Sequence, residues 1–232
     1  MQVSLVKNSF YFTYIFLITT GTICFIEALR NPNPKIRHIM NLETCISVVA
    51  GYFYAVFVEK IKAYEKENKE NNENQETKYT EEQLDEINDT RYTDWSISTP
   101  IMLLVLCLVL GLENKVVVNF WTFMKILLFN FLMLGAGYIG EMGKINKSLA
   151  NGIGFIFFAL LFGTVWNVYM KKSKTVNSLV IYLLFVVLWA FYGVFYQTDT
   201  LTKVFGYNIL DLLSKAFVGI FFWLYLTNSV KF

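Results

Sequence analysis

The chain has 232 residues, 55% of them hydrophobic and 18% aromatic, and its 20 basic and 18 acidic side chains leave a net charge of +2. A mean hydropathy of +0.44 exceeds what a soluble domain of this length carries, so an integral membrane protein is expected. The charges segregate by side and form no single basic face, so no nucleic-acid partner is expected, and no enzyme chemistry or metal site is predicted.

A spanning helix needs about 20 mainly apolar residues, and seven runs meet that length: roughly 10–28, 40–58, 93–112, 118–139, 150–170, 177–197 and 207–227. The predicted fold is an all-α membrane protein, a seven-transmembrane helix bundle forming one domain over 1–232. The first span, about 19 residues long, lacks the cleavage site of a secretory leader and is retained as a true span. Arg30, Lys35 and Arg37 follow it, Lys171, Lys172 and Lys174 follow the fifth, and Lys115 and Lys231 fall on the same side. Short cytoplasmic loops retain Lys and Arg, so this side is expected to be cytoplasmic, with the amino terminus external and the carboxyl terminus internal. Residues 59–92, between spans two and three, carry eleven acids against five lysines and Arg91. That polar stretch is expected to be a long, solvated extracellular loop. Cys24, Cys45 and Cys107 lie in apolar segments and are expected as small core residues, not as a disulfide framework.

Chemistry concentrates on spans three, six and seven. Span three opens with Arg91, Tyr92, Thr93, Asp94, Trp95, Ser96, Ile97, Ser98, Thr99, Pro100. Helical spacing puts Arg91, Asp94 and Ser98 on one stripe, so an acid is expected to lie buried just below an arginine. Trp189 and Tyr192 occupy the middle of span six, and Met102 and Met133 add adaptable apolar surface for a flat, elongated ligand. Span seven carries Asp211 and, four residues on, Lys215, with no further charge until Lys231. An ammonium in mid-membrane needs a carboxylate partner, a covalent use, or both. If spans three and seven face each other, Asp94 and Asp211 flank the lysine nitrogen; an interhelical ion pair holding the bundle is the alternative use of such a cluster.

The run Arg-Tyr-x-Asp-Trp-x-x-x-Thr-Pro at 91–100, the Leu-Trp-x-x-Tyr at 188–192 and the Asp-x-x-x-Lys at 211–215 resemble the third, sixth and seventh helices of the microbial, or type 1, rhodopsins. The resemblance covers nearly the whole chain. It implies retinal, all-trans, bound to Lys215 as a protonated Schiff base, with Asp94 the primary counterion and proton acceptor, Asp211 the second counterion and Arg91 beneath them. It also implies a pocket in which Trp95, Trp189 and Tyr192 enclose the polyene. Tyr92, Thr99, Met102 and Ser214 belong to the same pocket, and Asn130, Met133 and Gly137 of span four align with positions near the ionone ring.

Eleven residues after Asp94, about 16 Å along a helix at about 1.5 Å per residue, pumps of the bacteriorhodopsin type carry an acid that returns the proton. Here that position is Val105. Glu43, the one carboxylate in the inner half of spans two to seven, is the expected substitute, because its neutral form holds the proton a donor gives. Lying at the surface and reaching to water is the alternative for this residue. The carboxylate on span two, the long stretch before span three and the short tails resemble the rhodopsins of giant algal viruses, particularly their proton-pump-like group, in a host-cell membrane. After Glu43 only Thr44 and Ser47 are polar before Gly51, a thin path for water that favours a light-driven outward proton pump. A light-gated cation channel is the first alternative, and a photosensor signalling through a partner the second.

Smaller features carry further expectations. Gly193 stands where the family usually has a proline, so the bend of helix six would come from glycine flexibility or be weaker. No pair of external glutamates stands near the start of span seven, where Lys203 occurs instead, so early proton release to the outside is not expected. Glu27, Arg37 and Trp223 are read as interfacial anchors or as contacts in a homo-oligomer, a trimer or pentamer. The Asn88-Asp89-Thr90 and Asn146-Lys147-Ser148 sequons fall on the external side. The lipid bilayer is the expected surrounding, and protons or cations the transported species.

Overall fold

The computed structural model describes residues 3–71, 79–171 and 175–227. Seven helices cover them: α1 (Val3–Arg30), α2 (Pro34–Asn71), α3 (Glu81–Asn114), α4 (Phe120–Glu141), α5 (Lys147–Met170), α6 (Val176–Tyr196) and α7 (Thr200–Leu226). All seven are long and apolar enough to cross a bilayer, and the protein is an integral, multi-pass membrane protein. Each start follows from local chemistry. Pro34 opens α2, where its missing N–H costs nothing. Side chains of Asn119, Asn146 and Asp199 accept from the first-turn amides of α4, α5 and α7, while Thr80 with Gln83 and Thr175 with Ser178 form reciprocal caps on α3 and α6. Inside α3, Pro100 has no N–H to bond back along the helix.

Two boundaries differ from expectation. The polar stretch 59–92, expected as a solvated loop, is helical over most of its described length, because α2 continues to Asn71 and α3 begins at Glu81. Glu and Lys are good helix formers, and here they also clamp one helix to its neighbour. Glu86 of α3 accepts from Lys60 Nζ at 2.9 Å and from the Tyr64 hydroxyl at 2.5 Å, both on α2. Lys7 of α1 reaches Glu65 of α2 at 2.8 Å. Residues 72–78 lie outside the described residues. The last helix, in turn, starts at Thr200 and not near 207, which draws Lys203 into the bundle.

Successive helices pack side by side and α7 returns to α1, closing a ring, while α3 also touches α6 and α7 across it. Accordingly α3 is the most enclosed helix, with 61% of its apolar window buried against 22% for α4 and for α5. Around α3, towards the carboxyl-terminal end of the bundle, Leu103, Val105, Leu106 and Val109 pack with Ile46 and Phe222 into a core from which solvent is excluded. Cys24 and Cys107 are buried as expected, but Cys45 is on the exposed face of α2, where a thiol suits an apolar surrounding equally well.

Close crossings depend on a few glycines. A Cβ at Gly140 of α4 would overlap the Ala150 Cβ of α5 and the Tyr196 hydroxyl, which itself donates to the Gly137 carbonyl at 2.9 Å. Gly140→Ala is therefore expected to cost about 1–3 kcal/mol by overpacking, measured as a lower thermal midpoint of the purified protein. Gly193 serves a similar purpose, making room for the Phe155 ring, 2.6 Å from a Cβ placed there, within a helix that runs unbroken from Val176 to Tyr196.

Candidate functional site

Lys215 sits within a π-helical turn, Leu212–Phe217, in the middle of α7. Such a turn adds a residue to the helical repeat and re-aims the side chains after it. The lysine is 2% exposed, and its Nζ lies 2.6 Å from Asp94 Oδ2 and 3.3 Å from Asp211 Oδ1. The expected triad of one cation and two carboxylates is thus assembled, with both acids fully buried.

The two carboxylates differ in their support. Asp211 accepts from Arg91 (2.9 Å), the Tyr54 hydroxyl (2.9 Å), the Tyr192 hydroxyl (2.7 Å) and Trp95 Nε1 (3.4 Å) in addition to Lys215. Asp94 is bonded to Lys215, while its Oδ1, and the Ser98 Oγ one turn away, are buried with no protein partner. A carboxylate held by several protein donors gives up little by staying ionised. Arg91 pairs with Asp211 and not with Asp94, its own neighbour on α3, and it also donates to Tyr54 (3.0 Å) and Asn208 (2.8 Å).

Tyr54 and Asn208 were not foreseen. Asn208 is legible afterwards, since it lies three residues before Asp211 on the stripe that carries Lys215. Tyr54, a tyrosine in an apolar run of α2, gives no such signal.

A cavity opens from Lys215 between α3, α4, α5, α6 and α7. Trp95, Trp189, Tyr192 and Tyr92 supply its flat walls, Met102 and Met133 its adaptable ones, and Thr99, Gly137 and Ser214 the remaining foreseen positions. Gly137 is needed for width, because a Cβ there would stand 2.8 Å from the Tyr92 hydroxyl. Asn130 does not line the cavity as expected. It is fully buried behind Thr99, to whose hydroxyl its amide donates at 2.8 Å. Phe155, Phe158, Gly154 and Asn151 of α5 contribute a wall that no motif announced. This largely apolar, aromatic cavity closed at one end by a paired amine fits a long, flat, apolar molecule tied to that amine.

On the other side of Lys215, Glu43 of α2 is 2% exposed and so does not lie at the surface. Its carboxyl reaches α7 because Gly219, one turn past Lys215, has no side chain: a Cβ there would be 3.0 Å from Glu43 Oε2 and 2.7 Å from Thr20 Cγ2. Thr20 donates to the Ala216 carbonyl at 3.2 Å, and the Ser47 Oγ is buried with no protein partner. Val105 is fully buried in the apolar core nearby. Further along, Glu27 accepts from Trp223 Nε1 (3.2 Å), Arg30 (2.8 Å) and Asn31 (2.7 Å), so two of the three presumed anchors pair with each other; Arg37 is exposed. Of the sequons, Asn88 is buried in α3 and closed to glycosylation in the folded protein, while Asn146 is exposed at the cap of α5.

The sequence profile of the bacteriorhodopsin-like proteins matches residues 5–229. The chain belongs to that family, the microbial rhodopsins. Members of this family bind retinal through a lysine Schiff base, which is the use the cavity and Lys215 fit. The crystal structure of viral rhodopsin OLPVRII superposes with a TM-score of 0.85 at 46% identity, covering 98% of this chain and 100% of that one. Opsin-1 of Neurospora crassa is 27% identical over 156 residues, and the blue-light absorbing proteorhodopsin of Gamma-proteobacterium Hot 75m4 is 28% identical over 149. Those matches take in 60% and 57% of this rhodopsin and 48% and 59% of the relatives' own lengths. Xanthorhodopsin, at 22% identity and a TM-score of 0.73, shares the fold.

Proposed function

We propose that this rhodopsin is a light-driven outward proton pump in which Asp94 accepts the proton from Lys215 Nζ and Glu43 returns one. The observation that carries this reading is the placement of a buried carboxyl on each side of Lys215 along the bundle: Asp94 at 2.6 Å and Glu43 against Gly219, one turn onward. The amino-terminal end of the bundle is taken as external, on the basic residues of the opposite loops.

When bound, all-trans retinal supplies light absorption and a change of shape that alters the proton affinity of the lysine nitrogen. The chain supplies the rest. Trp95, Trp189 and Tyr192 hold the ligand in place, and Asp211, fixed by Arg91, Tyr54 and Tyr192, stays a stationary counter-charge. Asp94, 2.6 Å from Lys215 Nζ, takes the proton. Closely packed Leu103, Leu106 and Val109 exclude water from the carboxyl-terminal half, so that the return proton comes from Glu43 and not from a continuous wet path.

The same packing supports the pump reading over that of a cation channel. In patch-clamp recordings under voltage ramps, photocurrents are expected to stay outward across all voltages. Currents that reverse with the cation gradient would overturn the proposal in favour of a channel, and the absence of current would leave a sensory role.

A further inference from the structure

We propose that Glu141, tied to Lys203, is the group through which the transported proton leaves the protein at the amino-terminal end of the bundle. This inference rests on the pump reading. Glu141 is the last residue of α4 and Lys203 lies in the first turns of α7. Their side chains, 11% and 2% exposed, meet at 2.7 Å between Oε2 and Nζ. An ammonium so deeply placed needs that carboxylate. The other carboxylate oxygen, Oε1, is buried with no partner among the described residues.

Buried polar groups of α3 and α7 lie on the side of this pair that faces the centre of the bundle. Tyr207 lies one turn deeper than Lys203 on α7, its ring 5.0 Å from Trp95 and 5.7 Å from the Arg91 guanidinium carbon. Arg91 Nε and both polar atoms of Asn88 are, like Glu141 Oε1, buried without protein partners. Buried polar atoms of this sort are commonly satisfied by water, and carboxyls joined through water pass protons. At the outer end Asp85 Oδ1 stands 4.0 Å from Lys203 Nζ with a side chain 58% exposed, which gives the pair an opening to solvent.

The groups that act on Glu141 come from every neighbouring helix: Lys203 and Tyr207 of α7, Tyr92 of α3, Lys147 of α5 and Tyr196 of α6, while Asp85 of α3 faces Lys203. In the step itself, the proton displaced from the central carboxyls arrives at Glu141 Oε1, Lys203 keeps its three protons, and the Glu141 proton passes to bulk water. No other bond changes.

Retinal-loaded protein in liposomes, with a pH-sensitive dye on the external side, gives the interval between loss of the proton from Lys215 Nζ and its appearance in bulk. Light-induced infrared difference spectra give the carboxylic-acid bands. Glu141→Gln is expected to lengthen the interval by at least about tenfold and to remove one transient carboxylic-acid band, and Glu141→Asp to restore a band. Lys203→Gln, which keeps the glutamate, is expected to shift the interval as well, and it carries the test should Glu141→Gln fail to fold. Unchanged intervals and bands, even with a lowered thermal midpoint, would mean that the pair is only a clamp between α4 and α7 and would overturn the proposal. If the unmodified protein moves no protons outward, the pump reading itself fails and this assignment falls with it; if it pumps and the variants are unaffected, only the exit assignment fails.

Discussion

Replacing Asp94 by asparagine is expected to reduce light-driven proton transport by at least about 100-fold, the scale set by loss of a positioned acid–base group. Asparagine fills nearly the same space beside Lys215, so the bundle and the cavity are retained while the oxygen that takes the proton is lost. Asp211 is a poor replacement, because Arg91, Tyr54, Tyr192 and Trp95 all donate to it already and a proton there would have to displace those bonds. Absorption should also move to longer wavelength, since removing a negative charge 2.6 Å from the lysine nitrogen destabilises the cationic ground state localised there. Photocurrents and absorption spectra of the variant check both parts. Undiminished transport would assign the acceptor role to Asp211.

Glu43→Gln has the second large effect. With no donor on α2, the proton returning to Lys215 Nζ must come from bulk water through the apolar packing around Val105, Leu106 and Val109. Recovery is then expected to slow by about 100-fold at neutral pH. Its rate also becomes first order in protons, falling about tenfold for each unit of pH increase, whereas the unmodified protein, with Glu43 as an internal reservoir, shows a weaker dependence. Flash photolysis across a pH series reads both. A variant whose recovery matches the unmodified protein at every pH would remove Glu43 from the cycle.

Much of this site was legible in the sequence because membrane burial makes charge conspicuous. Lys215, Asp211, Asp94 and Arg91 are costly in their segments, so each needs a partner, and the resemblance to the microbial rhodopsins supplied the pairing between helices that the structure holds within bonding distance. The aromatic walls followed from the same motifs. What sequence could not supply was pairing between helices at their ends. Lys203 stood as an isolated cation until α4 brought Glu141 to it, since no periodicity links residues sixty positions apart. Asn130 aligned with the cavity but turned to Thr99, a choice between two hydrogen-bonding surfaces that spacing does not decide. The stretch 59–92 was misread for a different reason: polarity was taken as irregularity, although Glu and Lys favour helix wherever a neighbouring helix gives them partners.

That last feature has a mechanical side. Beyond residue 58, α2 continues to Asn71, about 20 Å at about 1.5 Å per residue, and α3 rises beside it from Glu81, the two braced by Lys60, Tyr64 and Glu86. Arg91 and Asp94 therefore hang from the foot of a stiff two-helix mast. On the proposed function, an acceptor mounted in this way would work as a stator, keeping its position while the parts that respond to light turn against it.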